Sequence, residues 1–192
     1  QQVSSAASDV YKRQYMNFLL TGGAGYIGSH AALSLLDAGH NVHIIDDLST
    51  GNESLIPKNA FFTKCNINDE EVISELIKSN SFDLLMHFAG FIQVEESVKY
   101  PQKYFDNNTE NATKLFETCK NNGLNKIVFS STAAAYGSAN KNKLIDENTN
   151  LNPQNPYAES KIKTENFLFE NKDDYKFIIC LLYTSDAADD TC

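Results

Sequence analysis

Long apolar runs are absent from this sequence of 192 residues. No run approaches the roughly 18 apolar residues of a membrane span, and there is no secretory apolar segment. We therefore expect no membrane partner, no export and a cytoplasmic location. Acidic residues outnumber basic ones by 25 to 16, and the net charge of −9 argues against nucleic acid or an anionic membrane as a partner.

Metal-ligand patterns are absent as well. The chain has four histidines and four cysteines, but the histidines show no ligand spacing and no nearby cysteine supports a zinc site. We predict no metal, and we expect Cys65 and Cys119 to be reduced thiols. The histidines are expected at the surface or at strand ends: His30, His40, His43 and His87.

A glycine-rich turn lies near the start of the chain. Residues 18–20 form an apolar strand candidate, and residues 29–38 have helical periodicity that stops at Gly39. Glycines between the two would let the backbone turn sharply, approach a pyrophosphate and pack helix on strand. The start of the helix would then bind the phosphates with its N–H groups and dipole. The predicted cofactor contacts are Gly22, Gly25, Tyr26, Ile27 and Gly28.

An acidic residue ends the next apolar run. Asp46 follows residues 42–45 and lies 21 positions after Gly25 (46 − 25), close to the spacing of about 20 residues expected for a ribose-binding acid. A carboxylate there would bind the adenosine ribose and repel a 2′-phosphate, so we expect NAD rather than NADP. The alternative is an ordinary turn acid at a strand end.

Strand and helix candidates alternate along the chain. Strands at 60–63, 82–88 and 126–131 alternate with helices at 70–78 and 101–122. This predicts an α/β fold of Rossmann type, with a doubly wound parallel sheet and right-handed crossovers. Ligands of such sheets bind at the carboxyl ends of the strands. The residues that we assign to the cofactor on this basis are Asp47, Asn66, Ile67, Phe88, Ala89, Gly90 and Ser130.

A tyrosine and a lysine share one face of a predicted helix. Asn155-Pro156 predicts its start, because proline is tolerated in the first turn, and Tyr157 and Lys161 then lie four residues apart. The ammonium would lower the pKa of the phenol from about 10 towards neutrality. Such a tyrosine can act as a base near pH 7. The spacing alone is common on solvated helices, so this interpretation depends on the glycine turn and Asp46.

Several motifs between residues 17 and 161 resemble the extended short-chain dehydrogenase/reductases, and within them the UDP-glucose 4-epimerase family. They are the segments at 21–30, 46–51, 87–90, 104–108, 129–137 and 155–161. The resemblance implies that Tyr157 deprotonates the sugar 4-hydroxyl of a UDP-sugar while C4 gives hydride to NAD. It implies that Lys161 holds the nicotinamide ribose, and that Thr132 hydrogen-bonds the reacting oxygen.

The same resemblance implies further roles. Asn108 would be a polar residue beneath the active site, and its alternative is capping or packing. Two copies would pair through the long helices at about 101–121 and 156–170. Ala133 and Ala134 stand where the related 4,6-dehydratases carry an Asp-Glu pair, so we do not expect elimination of water. Glu95 departs from the glycine that relatives often have there.

Two alternatives stay open. The chain could come from another UDP-sugar epimerase or decarboxylase, or it could be a non-catalytic NAD-binding module. A module of the second kind needs the glycine turn and Asp46 but not Thr132, Tyr157 and Lys161, so the intact set argues against it.

The two ends of the sequence do not fit this fold. Residues 4–14 resemble a translated sequencing-library adapter, and residues 180–189 resemble its translated reverse complement. We expect non-native tails at 1–14 and 180–192, around a truncated NAD-binding domain at 15–179. The resemblance implies a smaller domain after this point that grips the uridine nucleotide. We therefore expect an inactive fragment, with apolar surface exposed near Ile178 at an unfinished sheet edge.

Overall fold

The computed structural model describes residues 15–137, 145–146 and 148–182. In this part of the chain, six parallel strands form one sheet with the order β3-β2-β1-β4-β5-β6. The direction of the order reverses between β1 and β4, as in dinucleotide-binding sheets, and the predicted Rossmann-type fold is confirmed. The strands are β1 (Asn17–Thr21), β2 (Asn41–Asp46), β3 (Phe61–Lys64), β4 (Leu84–His87), β5 (Lys126–Thr132) and β6 (Lys176–Leu182).

Helices cover both faces of the sheet, and two of the six in the described residues begin with a residue whose side chain caps the helix. The side chain of Asp69 accepts from Val72 N at the start of the second helix, and the side chain of Asn155 accepts from Ala158 N at the start of the last. The helices are α1 (Tyr26–Asp37), α2 (Glu70–Ser79), α3 (Val94–Lys99), α4 (Pro101–Tyr104), α5 (Ala112–Asn121) and α6 (Pro156–Glu170).

The helix predicted at 101–122 is interrupted by a π-helical segment at Phe105–Asn111. Two successive residues of this segment bond to one residue of α6: Asn108 Nδ2 donates to Ser160 Oγ at 3.2 Å, and Thr109 Oγ1 donates to Ser160 O at 2.9 Å. In an α-helix, neighbours point about 100° apart. The wider turn lets both side chains reach α6, which the local sequence does not indicate.

The core has two layers because side chains alternate across each strand. On one face, Leu19 and Phe129 are buried in a cluster with residues of α2, α5 and α6. On the other face, Phe18 and Leu20 pack with Val42, Ile44 and residues of α1. Each fully buried Leu or Phe contributes about 1.5–3 kcal/mol, so the two layers together fix the position of the strand ends.

The sheet ends at β6. This strand pairs with β5 from Lys176 to Leu182, three residues past the predicted boundary at Ile179, and Ile178 is 62% exposed at its edge. The tail predicted at 1–14 and the residues from 183 onwards lie outside the described residues. Within the described part, no helix combines the length and apolarity needed to cross a bilayer.

Candidate active site at the carboxyl edge of the sheet

The glycine turn is held against the start of the loop after β4. Gly22 has φ +73°, and a Cβ there would lie 2.5 Å from Ala89 N. A Cβ on Gly28 would collide with Gly22 O. Larger residues at either position would push apart the turn, α1 and β4, so these two glycines are required by packing as well as by any ligand.

The first turn of α1 opens toward this edge. Its first intrahelical bond runs from Ser29 N to Gly25 O at 3.0 Å, and the N–H groups of Tyr26, Ile27 and Gly28 come before it at the end of the helix. The Tyr26 side chain is 75% exposed. The start of α1 is therefore able to receive an anion, as the glycine spacing predicts.

Asp46 lies at the end of β2 with its carboxylate directed back to the glycine turn. Oδ2 accepts from Ala24 N at 3.0 Å, and Oδ1 accepts from Leu48 N at 2.9 Å. Leu48 has φ +61°, a conformation that costs a branched side chain about 1 kcal/mol or more. Asp46 thus fixes both the turn and the following loop.

Asp47 and Asn66, which we assigned to the cofactor separately, contact each other. Asn66 Nδ2 donates to Asp47 Oδ2 at 2.7 Å, and Ser49 N donates to Asp47 Oδ1 at 2.8 Å. Burial raises the pKa of Asp47, but these hydrogen bonds outweigh it and the pKa is lowered overall. Ile67 follows Asn66 and packs its side chain into the core, so its backbone is the part that can contact a ligand.

The segment after β4 lies beside Lys161. Phe88 N donates to Thr21 O at 3.0 Å, which continues the sheet pairing by one residue. A Cβ on Gly90 would lie 3.3 Å from Lys161 Nζ and 3.2 Å from Asn108 Oδ1. The absence of a side chain at Gly90 therefore lets the backbone run close to Lys161 and Asn108.

Asn108 is buried, and its amide fastens the loop after β4. Its Oδ1 accepts from Phe91 N and its Nδ2 donates to Phe91 O, each at 2.9 Å. Thr164 Oγ1 donates to Asn108 O at 2.7 Å. These contacts correspond to the packing alternative, and they place Asn108 beneath the loop rather than at an open surface.

Tyr157 and Lys161 lie in the first two turns of α6, whose start is fixed by Asn155 and Pro156 as predicted. Lys161 is 3% exposed, and its Nζ donates to Ser130 O at 3.0 Å and lies 4.9 Å from the centre of the Phe129 ring. Burial lowers the pKa of Lys161 to about 8, although Glu165 opposes the shift.

Thr132 ends β5 in the same region. It is buried, and its Oγ1 accepts from Ala134 N at 3.2 Å, which starts a short 3₁₀ turn at Ala133–Tyr136. The chain thus brings Ser130, Thr132, Tyr157 and Lys161 to the carboxyl end of β5, beside the point where the strand order reverses.

Three side chains of this region have contacts that the sequence did not predict, although His87 lies at a strand end as expected. Tyr104 is fully buried, and its ring meets that of Tyr157 edge to face at 6.4 Å between centroids. His87 is also fully buried, with Nδ1 2.7 Å from Thr21 Oγ1, and burial followed by the charge of Lys161 lowers its pKa to about 3. Glu165 receives a hydrogen bond from Ser131. Its position four residues after Lys161 was a signal available in the sequence.

The cysteines and acidic groups of the described residues have no metal-like arrangement. Among the described residues, no group of three or more His, Cys, Asp or Glu side chains could hold an ion. Cys65 and Cys119 are free thiols, and burial raises their pKa to about 11 and about 12.

A model of the NAD dependent epimerase/dehydratase family matches residues 18–187. The chain belongs to this family. Its cofactor class agrees with the one predicted from Asp46. The match extends past residue 179, where we predicted the end of the domain.

Similar proteins include two bacterial UDP-glucose 4-epimerases. The protein from Azospirillum brasilense is 45% identical over 150 residues, which are 78% of this chain and 43% of the relative. The protein from Lacticaseibacillus casei is 43% identical over 153 residues, covering 80% and 46%. The chain therefore spans slightly less than half the length of these relatives.

Solved structures of such enzymes have the same fold. The UDP-glucose 4-epimerase of Thermus thermophilus in complex with NAD superposes with a TM-score of 0.81 at 33% identity, covering 85% of this chain and 54% of that one. The UDP-Glc/GlcNAc 4-epimerase of Campylobacter jejuni has a TM-score of 0.79 at 37% identity, covering 85% and 52%.

Proposed function

We propose that this chain forms the NAD-binding part of a UDP-glucose 4-epimerase, which interconverts UDP-glucose and UDP-galactose through transient oxidation at C4. The observation that carries the proposal is the hydrogen bond from Lys161 Nζ to Ser130 O at 3.0 Å, which holds the lysine near the end of β5, where Thr132 lies, with Tyr157 one helical turn before it on α6. The proposal includes a role in galactose metabolism, a cytoplasmic location, and a homodimer formed through the helical segments at about 101–121 and 156–170.

The residues present fit NAD on two observations. Gly25 has no Cβ at the open start of α1, so a pyrophosphate can approach the N–H groups of Tyr26 and Ile27. Gly90 also lacks a Cβ, and a Cβ there would lie 3.3 Å from Lys161 Nζ, so the space next to the lysine stays open. Asp46 would bind the adenosine ribose with the lone pairs that its backbone contacts leave, and Asp47, Asn66 and the Ile67 backbone would flank the adenine.

At the other end of the cofactor, the segment at Phe88–Gly90 would lie along the nicotinamide half. Lys161, held by the Ser130 carbonyl at 3.0 Å, would donate to the nicotinamide ribose. Asn108 supports this end indirectly, since it holds Phe91.

Proton transfer is assigned to Tyr157. NAD, when bound, supplies a hydride acceptor that also returns the hydride to C4. Tyr157 would take the proton of the 4-hydroxyl and give it back, and the Lys161 ammonium would favour the phenolate. Because the pKa of Lys161 is about 8, the ammonium predominates at neutral pH. Thr132 would orient the reacting oxygen with its hydroxyl.

Elimination of water is disfavoured by the residues next to Thr132. Ala133 and Ala134 form the 3₁₀ turn, and their methyl groups have no proton to exchange. The nature of the sugar is less constrained, because relatives at 36% identity include UDP-arabinose 4-epimerase 1 of Arabidopsis thaliana. The proposal therefore assigns a UDP-sugar as the substrate class, and UDP-glucose as the substrate within that class.

The deciding experiment replaces Tyr157 with Phe in a polypeptide that also carries the segment corresponding to the second half of the relatives. We expect UDP-galactose turnover to be lost and NAD affinity, measured by calorimetry, to be kept. Retained epimerisation would sink the assignment of the base. NAD binding without any turnover by the unaltered polypeptide would favour the non-catalytic module.

A further inference from the structure

Glu165 lies one helical turn after Lys161 on the buried side of α6, and no role described so far uses it. The residue is 8% exposed, and Ser131 Oγ donates to its Oε1. Burial raises the pKa of Glu165, whereas the Ser131 hydrogen bond and the charge of Lys161 lower it. Burying a carboxylate costs free energy unless its charge is paired or hydrogen-bonded. The location of Glu165 one helical turn from a buried lysine therefore needs an explanation.

The titratable groups around Lys161 are few. Tyr157 and Glu165 share its helix, and His87 comes from β4. His87 is neutral because its pKa is about 3. Glu159, also on α6, is exposed and pairs instead with Lys163 at 3.3 Å. Among the described residues, Glu165 is thus the carboxylate that acts on the Lys161 ammonium.

Strand β5 anchors both partners through consecutive residues. The Ser130 carbonyl accepts from Lys161, the Ser131 hydroxyl donates to Glu165, and Thr132 follows at the strand end. Ser131 lies on the same face as Ile127 and Phe129, which α6 covers. The lysine and the carboxylate are therefore each held by β5, through neighbouring residues of that strand.

We propose that Glu165 is a positioning residue for Lys161: anchored by Ser131, its carboxylate keeps the buried ammonium charged and directed at the end of β5. The charged ammonium is what Tyr157 needs from Lys161, so the catalytic meaning of the inference rests on the proposed function. The effect on Lys161 itself does not, and it is measurable without NAD or sugar.

The test is a titration of Lys161 by NMR in the NAD-free chain, with lysine labelled at ¹³Cε and the resonance identified through Lys161→Arg. Glu165→Gln keeps the shape and an oxygen for Ser131 but removes the charge. We expect the Lys161 midpoint to fall by roughly one pH unit. Glu159→Gln removes one charge from the exposed side of the same helix and should leave the midpoint unchanged.

Ser131→Ala is the second variant. If Glu165→Gln does not fold, Ser131→Ala alone tests whether the anchored Glu165 carboxylate raises the titration midpoint of Lys161. It keeps the charge and removes the anchor, so the released carboxylate turns away and the midpoint falls by a smaller amount. An unchanged midpoint in a folded Glu165→Gln chain, even with a lower melting temperature, overturns the proposal. So does an equal shift in Glu159→Gln, or a constant or higher midpoint in Ser131→Ala.

NAD affinity of the unaltered chain is measured separately. Absence of NAD binding would count against the proposed function and would leave the Lys161 titration valid. A titration that contradicts Glu165 would leave NAD binding valid, so the two failures can be told apart.

Discussion

The carboxylate of Asp46 accepts a hydrogen bond from the backbone N–H of Ala24, with 3.0 Å between Oδ2 and N. This bond joins the end of β2 to the glycine turn that follows β1. The residue proposed to select the adenosine ribose therefore also holds the glycine turn in place, and its substitution has to be designed to separate the two roles.

Asp46→Asn keeps an oxygen for one backbone N–H and removes the charge that would repel a 2′-phosphate. We expect the ratio of NADP to NAD dissociation constants to fall by about tenfold, which corresponds to about 1.4 kcal/mol. Calorimetric titration with both nucleotides measures the ratio. Asp47→Asn, one residue further on, is the control: it loosens the contact with Asn66 and should weaken both nucleotides alike. An unchanged ratio in Asp46→Asn would remove the specificity role of Asp46.

Gly22→Ala tests the contact between the glycine turn and β4. The new Cβ would be both at positive φ and 2.5 Å from Ala89 N, a backbone atom that cannot rotate away. We expect a loss of more than about 2 kcal/mol in unfolding free energy, measured with urea. Gly123→Ala isolates the conformational part, since its φ is +89° and nothing lies within 4 Å of a Cβ there. Equal losses in the two variants would mean that the contact is unimportant.

The burial of Lys161 predicts a specific dependence of stability on pH. Its pKa falls from 10.5 in the unfolded reference to about 8 in the folded chain, so between these values the unfolded chain binds more protons. The unfolding free energy should therefore rise with pH across this window, by at most about 3 kcal/mol. Lys161→Met removes the titrating group. We expect its curve to lack the rise and to lie above that of the unaltered chain near pH 7, and parallel curves would contradict this assignment.

Tyr104→Phe tests whether the Tyr104 hydroxyl holds α3 in place next to Tyr157. The hydroxyl lies 2.7 Å from Gln93 O and 2.9 Å from Glu96 Oε2, two acceptors that share its single proton. Its removal therefore frees α3 while the ring stays against Tyr157. We expect a loss of about 1–2 kcal/mol and faster amide exchange in Val94–Lys99. Tyr100→Phe, at an exposed position, should change neither. Unaltered exchange in Tyr104→Phe would mean that α3 is fastened elsewhere.

Short stretches of sequence were enough to predict the glycine turn and the start of α6. The turn at Gly22 and the start of α6 at Asn155 follow from backbone preferences of glycine, asparagine and proline. Asp46 followed from its distance along the chain to Gly25. In each case the residues that define the feature are close in sequence or at a spacing set by one βαβ unit.

Features that depend on distant partners were not predictable in the same way. The Asp47–Asn66 bond needs the register of β2 with β3, and the Ser131–Glu165 bond needs the distance between β5 and α6. In the π-helical segment, Asn108 and Thr109 both bond to Ser160, which is 52 and 51 residues away. The strand pairing of Cys180–Leu182 with Ser130–Thr132 is another such long-range feature.

The close approach of Gly22 to Ala89 also bears on how the chain folds. Thr21 and His87, which bond beside this contact, are 66 residues apart. The glycine turn therefore packs against Ala89 only after β4 has paired with β1 on the side opposite β2. An intermediate with β1, β2 and β3 in place would still have an open, incomplete pocket. The cofactor would then bind the completed topology alone and raise its population by mass action, which makes ligand-induced protection a report on whether β4 has docked against β1.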